Sequence, residues 1–433
     1  MRLLVATLFT IGTLMASSLP RYETRTLPNG LQVVAIPMDN GTNVISTDIF
    51  YKVGSRNEVM GKSGIAHMLE HMNFKSTKNL KAGEFDEEVK SIGGLNNAST
   101  GFDFTHYYIK SSSDNLPKSL SLFAELMQNL NLKDDEFQPE RNVVAEERRW
   151  RTDNNPMGYL YFRLFNTAYV YHPYHWTPIG FMNDIQTWSL EDIKNFHETY
   201  YQPSNAILLV TGDIEPAKVF AEAEKHFGSI TNARTVPSVK TVEPVQDGAR
   251  RVEVHKESEV EMLALSFPIP DFRHADQPKL SALSELLSSG KSSRLNRILV
   301  DEKRLVNQIY AYNMETIDPG VFLFLAVCNN GVKAESVEKE IWTIIKELQK
   351  TPVAKAELDK IKINTKADFI YSLESSTSVA DLFGSYLARG DLAPLERYEA
   401  TIESLEPSDI QSVAKTYLIP EKSTTLILRK GQK

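Results

Sequence analysis

The chain has 433 residues, 48 basic and 56 acidic side chains, a formal net charge of −8 and 42% hydrophobic residues. That length exceeds one ordinary core and makes two domains the starting expectation, while the acidic balance argues against a nucleic-acid surface and leaves at most a mild preference for basic peptides. Cys328 is the sole cysteine, so no intramolecular disulfide can form.

Arg2, the apolar run Leu3 to Met15 and the small residues Ala16-Ser17-Ser18 read as a secretory signal peptide over 1–18, cleaved after Ser18. The run is too short for a membrane span, so no stable span is expected after processing. A periplasmic location is the expectation, and a membrane anchor formed by an uncleaved N-terminus is the alternative. A mitochondrial presequence fits less well, because arginines and amphipathicity are missing there.

His67-Met68-Leu69-Glu70-His71 has the H-x-x-E-H order, the reverse of the commoner H-E-x-x-H zinc motif. At about 100° per residue Ile65, Met68, Leu69 and Met72 form an apolar stripe, with His67, Glu70 and His71 on the opposite face. Histidines at i and i+4 can reach one metal ion. Ser63 is the expected N-cap. The same five residues on a solvated helix would look identical, so a third ligand has to decide.

Downstream, Gly93-Gly94, Leu95 to Ser99, a turn around Thr100-Gly101-Phe102-Asp103 and the run Phe104 to Ile109 predict a hairpin near the metal helix. An exposed edge there would accept an extended peptide by strand addition. Leu116 to Leu130 predicts an amphipathic helix. Pro139 is expected to open another, Glu140 to Trp150, in which Glu140 and Glu147 share a face and Glu146 points elsewhere. These carboxylates would equally suit a charged surface helix. His106, His172, His175 and His197 are read as structural, since proline-rich aromatic loops such as 171–176 more often cap a core than bind metal.

An internal repeat organises the chain. Asp192, Thr199 and Pro203 recur 217 residues later as Asp409, Thr416 and Pro420, each in a pattern of helix followed by strand. Two homologous units are therefore expected. The domains become 19–235, a polar linker 236–248, and 249–433, whose helices include Leu280 to Leu287. The class is α+β: two homologous α/β sandwich-like domains, each a mixed or antiparallel sheet with helices packed on it. The second unit has no H-x-x-E-H.

Val53-Gly54-Ser55-Arg56, Gly64 to Met72, Phe74-Lys75, Gly93-Gly94 through Asn97-Ala98, Glu140 to Val144, Tyr200 to Asn205 and Gly212-Asp213 resemble the pitrilysin and mitochondrial-processing-peptidase family, in the same order and over most of the chain. The resemblance implies two domains facing one another as a half-clam and one zinc ion per chain, held by His67, His71 and a glutamate. In that family the third ligand stands at a fixed distance after the second histidine. Glu147, 76 residues beyond His71, is the residue at that distance, not Glu146. Glu70 is implied as the base that takes a proton from water and returns it to the leaving amine, Glu140 as a residue supporting proton transfer, and Asn97 and Ala98 as the peptide-binding edge.

The chain departs from the family at one place. Self-sufficient members carry an Arg and a Tyr seven residues apart in a non-metal domain; anchored on Ser292 to Leu295 and Leu299, those positions fall on Val300 and Asn307. Neither side chain replaces the guanidinium or the phenol. Lys303 and Tyr310 have the spacing but shift the register by three residues. The expectation is a zinc endopeptidase acting on unfolded peptides as the zinc-bearing subunit of a heterodimer, the homologous partner lacking the zinc motif and supplying the Arg and Tyr. The mitochondrial processing peptidase divides labour between two chains in this way. A homodimer is the runner-up for assembly, and a catalytically silent scaffold is the alternative function.

Overall fold

The computed structural model describes residues 18–38 and 41–431, so the signal segment, apart from Ser18, lies outside the described residues. The first sheet contains β1 (Glu23–Thr26), β2 (Gln32–Pro37), β3 (Val44–Tyr51), β4 (Leu95–Thr100), β5 (Thr105–Ser112) and β6 (Ala206–Gly212), in spatial order β1-β2-β6-β3-β5-β4. The second contains β7 (Arg250–Lys256), β8 (Met262–Pro268), β9 (Val306–Asn313), β10 (Val321–Cys328) and β11 (Thr424–Lys430), ordered β7-β11-β8-β10-β9. The β2–β6 and β7–β11 pairs are parallel and the others antiparallel. Without β1, the two orders superimpose strand for strand, and the fold is α+β with two mixed sheets.

The helices of the first half are α1 (Ile65–Asn73), α2 (Glu84–Ser91), α3 (Leu116–Asn129), α4 (Asp134–Arg148), α5 (Pro156–Ala168), α6 (Met182–Thr187), α7 (Leu190–Tyr200) and α8 (Pro216–Phe227). Those of the second are α9 (Gln277–Ser288), α10 (Ala334–Lys350), α11 (Lys355–Ser372), α12 (Ser376–Arg389), α13 (Ala393–Glu396), α14 (Tyr398–Ser404) and α15 (Pro407–Tyr417). The repeat is visible in α7 and α15. Each opens with a capping box, Ser189 with Asp192 and Glu406 with Asp409, which satisfies otherwise orphaned N–H groups. Each is followed by one 3-10 turn and a strand.

Side chains alternate across each sheet. One face of the first sheet, with Val33, Ala35, Ile45 and Ile49, packs on helices of its own half, among them α1 and α3. The other face, with Val34, Ile36, Phe50, Ile207 and Leu209, is covered by Val379, Ala380 and Phe383 of α12, which belongs to the second half. Reciprocally, Leu160, Leu164 and Phe165 of α5 cover Ala264, Leu323, Leu426 and Leu428 of the second sheet. At Gly384 of α12 a Cβ would meet the Phe50 ring at 2.1 Å, so glycine is what lets the helix lie on the sheet. Residues 231–249 form no helix or strand. Within them, Glu243 accepts the backbone N–H groups of Val170, Tyr171 and His172. No helix of the described residues is long and apolar enough to cross a membrane.

The start of α4 differs from the sequence reading. α4 begins five residues before Pro139, at Asp134, with Asp134, Asp135 and Glu136 in its first turn. Those carboxylates complement the N-terminal end of the helix dipole, and Pro139 sits inside the helix.

Candidate metal centre

The α1 stripe is buried as its spacing requires: Ile65, Met68, Leu69 and Met72 are at most 3% exposed, whereas His67, Glu70 and His71 are half-buried. The helix start corrects the assignment of Ser63 as N-cap. The Ser63 hydroxyl instead donates to Asp184 (2.6 Å), and the cap position is Gly64, at φ +84°. A Cβ there would stand 2.7 Å from the Ile179 carbonyl oxygen. The first-turn donors go to buried Glu58, whose carboxylate accepts the N–H of Gly64 (2.9 Å) and Ala66 (2.9 Å) and the indole N–H of Trp176 (2.7 Å). Burial pushes the Glu58 pKa up to about 8 against these three donors. The first two of these bonds tie Glu58 to the N-terminal end of the helix that carries both histidines.

α4 crosses α1 and brings Glu140 and Glu147 to the histidines. Glu147 Oε2 lies 3.3 Å from His71 Nε2 and 3.6 Å from His67 Nε2. Donors on a tetrahedral ion with bonds of about 2.1 Å stand about 3.4 Å apart, so this trio fits zinc. His67, His71 and Glu147 each offer a ligand atom within 4.8 Å of the others, and among the described residues no other group of three or more His, Cys, Asp or Glu does so. The other ends of two ligands are held. His71 Nδ1 is 2.8 Å from Glu140 Oε1, an arrangement that points Nε2 at the metal position. Glu140 Oε2 pairs with Lys75 (2.5 Å), and Glu147 Oε1 with Arg151 (3.0 Å).

Burial, aided by the neighbouring His71, lowers the His67 pKa to about 4, so its imidazole is neutral. For His71 burial works downward, but Glu140 and Glu147 outweigh it and raise the value to about 9. Both glutamates, despite burial, are held below the usual range, each chiefly by its bond to His71. Glu70 moves the other way: burial raises its pKa against a hydrogen bond from Thr100. That bond, Thr100 Oγ1 to Glu70 Oε2 at 2.5 Å, ties Glu70 to β4.

β4 is an edge strand of its sheet and pairs only with β5. Thr100 is its last residue, opposite Thr105, so the turn falls on residues 101–104, one position later than the sequence suggests. Asn96, Ala98 and Thr100 are half-buried and alternate with exposed Leu95, Asn97 and Ser99. The Ala98 N–H donates to Asn97 Oδ1 (2.9 Å).

The remaining histidines lie elsewhere. His106 pairs with Asp48 (2.7 Å) and stacks on Phe50. His172 pairs with Asp318 (2.9 Å), His175 Nδ1 faces the Tyr169 carbonyl, and His197 is half-buried against Tyr201. Val300 lies in a π-helical turn, Asn296–Glu302, partly buried against the second core; Asn307 is exposed on β9.

Sequence reasoning missed Glu58, Lys75, Thr100 and Arg151 as supports of the centre. Lys75 and Arg151 stand four residues after His71 and Glu147, and Thr100 two after Ala98, so periodicity could have found these three. Nothing local signals Glu58.

Residues 33–175 match the family model described as Insulinase (Peptidase family M16), and residues 187–365 match Peptidase M16 inactive domain. A zinc protease PqqE of Helicobacter pylori is 58% identical over 427 residues, covering 98% of this chain and 96% of that one. The chain belongs to peptidase family M16. An uncharacterized zinc protease of Rickettsia bellii is 27% identical across 93% of this M16 chain and 96% of its own length. The crystal structure of a protease from Helicobacter pylori matches with a TM-score of 0.94 at 59% identity, covering 95% of this chain and 100% of that one. The periplasmic protease PqqL of Escherichia coli shares the fold at a TM-score of 0.77 and 19% identity, over 95% of this chain but 48% of that one. His67, Glu70, His71, Glu140 and Glu147 all fall within the first matched segment, and the second contains none of them.

Proposed function

We propose that this chain is a zinc-dependent endopeptidase that hydrolyses unfolded peptides, with His67, His71 and Glu147 as ligands and Glu70 as the proton-transfer group. The observation that carries the reading is the convergence within 4.8 Å of Glu147 on α4 with His67 and His71 on α1, the helix that also presents Glu70. Zinc, when bound, supplies Lewis acidity at an open position beside its three protein ligands. Glu70 takes the proton of the attacking water and delivers it to the leaving amine. Its raised pKa favours both roles near neutral pH, and the Thr100 hydroxyl holds the carboxylate still. Glu140 steadies His71 and thus acts through a ligand. β4, with Asn97 and Ala98, offers an unpaired edge along which an extended peptide adds as a further strand, its main chain bonded and its side chains free to vary.

The same reading makes the protein periplasmic and the zinc-bearing subunit of a heterodimer. Val300 packs against apolar neighbours and Asn307 carries no cation or phenol, so a homologous partner supplies the Arg and Tyr. The match to about half of a longer periplasmic protease supports a two-chain arrangement. A silent scaffold is the second reading, favoured by the description of the segment matching residues 187–365 as an inactive domain.

Zinc content and cleavage of a quenched peptide test the first reading. Cleavage abolished by chelator, and Glu70→Gln that keeps zinc while losing turnover by two or more orders of magnitude, are expected. Bound zinc without cleavage, alone or with a co-expressed partner, favours the scaffold. Full activity from the purified chain defeats the heterodimer.

A further inference from the structure

In the second half, α9, α11, α12, α13, α14 and the end of β9 line an open pocket of about 360 Å³, the small end of the range for ligand pockets. Its walls include Glu285, Glu315 and Asp368, and among the described residues no Lys, Arg or His lines it. Asp368 is exposed, but Glu285 and Glu315 are half-buried, and a carboxylate withdrawn from water is unfavourable without a counter-charge. The Arg389 charge acts on Glu315 against the effect of burial, but its guanidinium lies toward Asp103, at 3.8 Å. The aromatic side chains of Tyr312, Phe369, Tyr386 and Tyr398 line the same cavity.

Three lining groups are buried without a hydrogen-bond partner: Glu285 Oε2, Asn313 Oδ1 and Thr365 Oγ1. Asn313 and Thr365 are only 7% and 6% exposed. The orientation of the Asn313 amide is imposed by its surroundings. Its NH₂ donates to Gln277 Oε1 and Ser281 Oγ, both at 2.9 Å, while Gln277 spends its own NH₂ on the Pro270 carbonyl and Ser281 donates to Glu315 (3.2 Å). The amide oxygen is therefore an acceptor with nothing to accept. What the cavity lacks is N–H donors carrying positive charge. A bare metal ion does not fit, because these carboxylates form no group with ligand atoms within 4.8 Å of one another. Aromatic faces favour an organic cation.

We propose that this cavity binds an ammonium or guanidinium group carried on an aliphatic chain, separately from the metal centre and independently of its chemistry. Two sources share that chemistry, a lysine or arginine side chain of a peptide and a free diamine. Calorimetric titration of the zinc-loaded full chain with Nα-acetyl-arginine amide, Nα-acetyl-lysine amide, agmatine and cadaverine separates them, with Nα-acetyl-norleucine amide as the uncharged control. Saturable binding of at least one cation is expected, with none of the norleucine compound. Glu285→Gln is expected to weaken it at least tenfold, and Asp368→Asn, on an exposed side chain that cannot disturb folding, several-fold. Binding limited to the amino-acid amides assigns the cavity to a basic peptide residue, and binding limited to agmatine and cadaverine assigns it to a small amine. No cation binding, equal binding of the norleucine compound, or unchanged affinity in both variants overturns the proposal.

Discussion

Gly384→Ala tests whether α12 lies on the first sheet as described, because its sign depends on that contact. In a helix interior free of neighbours the change gains about 1 kcal/mol from propensity. Here the new methyl would stand 2.1 Å from two carbons of the Phe50 ring, against an ordinary separation of about 3.5–4.0 Å. The ring cannot retreat. It is fully buried, stacked on His106 at 3.9 Å and edge-on to Phe104 at 5.7 Å, so the helix backbone must shift by more than an ångström. Overpacking of this kind costs about 1–3 kcal/mol. Placed at the upper end and reduced by the propensity gain, the net loss is about 2 kcal/mol. Urea midpoints of wild type and variant, at equal slope, measure it. Phe50→Leu combined with Gly384→Ala should recover part of the loss, giving a favourable coupling of about 1 kcal/mol in a double-mutant cycle. A Gly384→Ala protein as stable as wild type, or more so, would refute the packing of α12 against β3.

Other expectations concern the centre and its frame. Glu140→Gln removes the charge facing His71 Nδ1 and Lys75; loss of such a group lowers metal affinity by about 10–100-fold, read by competition with a chromophoric chelator, and undiminished affinity would contradict the role given to Glu140. Thr100→Val frees the Glu70 carboxylate while leaving the ligands alone, so kcat on a quenched peptide should fall about tenfold with zinc stoichiometry intact. Asp318 resists the upward push of burial because His172 and Arg56 bond it, and its pKa lies at about 2, below an unfolded value of about 3.9. A depressed carboxylate stabilises the fold above its unfolded pKa and loses that contribution as pH falls through the folded one. The stability difference between wild type and Asp318→Asn, about 2–3 kcal/mol at neutral pH, should therefore shrink between about pH 4 and pH 2 in acid-series urea melts.

Much of the centre was legible because its ligands sit at helical spacings. Met68 and Leu69 had to go inward, which left His67 and His71 together, and the register of Glu140 against Glu147 put both on one face of α4. The repeat was legible for a similar reason, since a helix leading through a proline turn to a buried strand is a local pattern. What stayed hidden was non-local. The amphipathic stripes of α5 and α12 are the same whichever sheet they cover, so nothing in either segment says that it belongs over the other half. Glu58 escaped notice because its partners, Gly64, Ala66 and Trp176, are assembled only by tertiary structure. Ser63 satisfied the local rule for a cap and was drawn off by Asp184, 121 residues away. Pro139 misled for a related reason: α4 gathers enough contacts elsewhere to carry an interior proline.

The exchange of α5 and α12 has a consequence for how such a chain can arise. One repeat unit by itself would bare an oily sheet face and hold out a helix with nothing to lie on. Two identical units would cure both defects by trading helices, which is the geometry of a domain-swapped dimer. The chain has the architecture of that dimer fused end to end, with residues 231–249 as the join. A cut in the join is expected to leave two fragments still clasped by their traded helices.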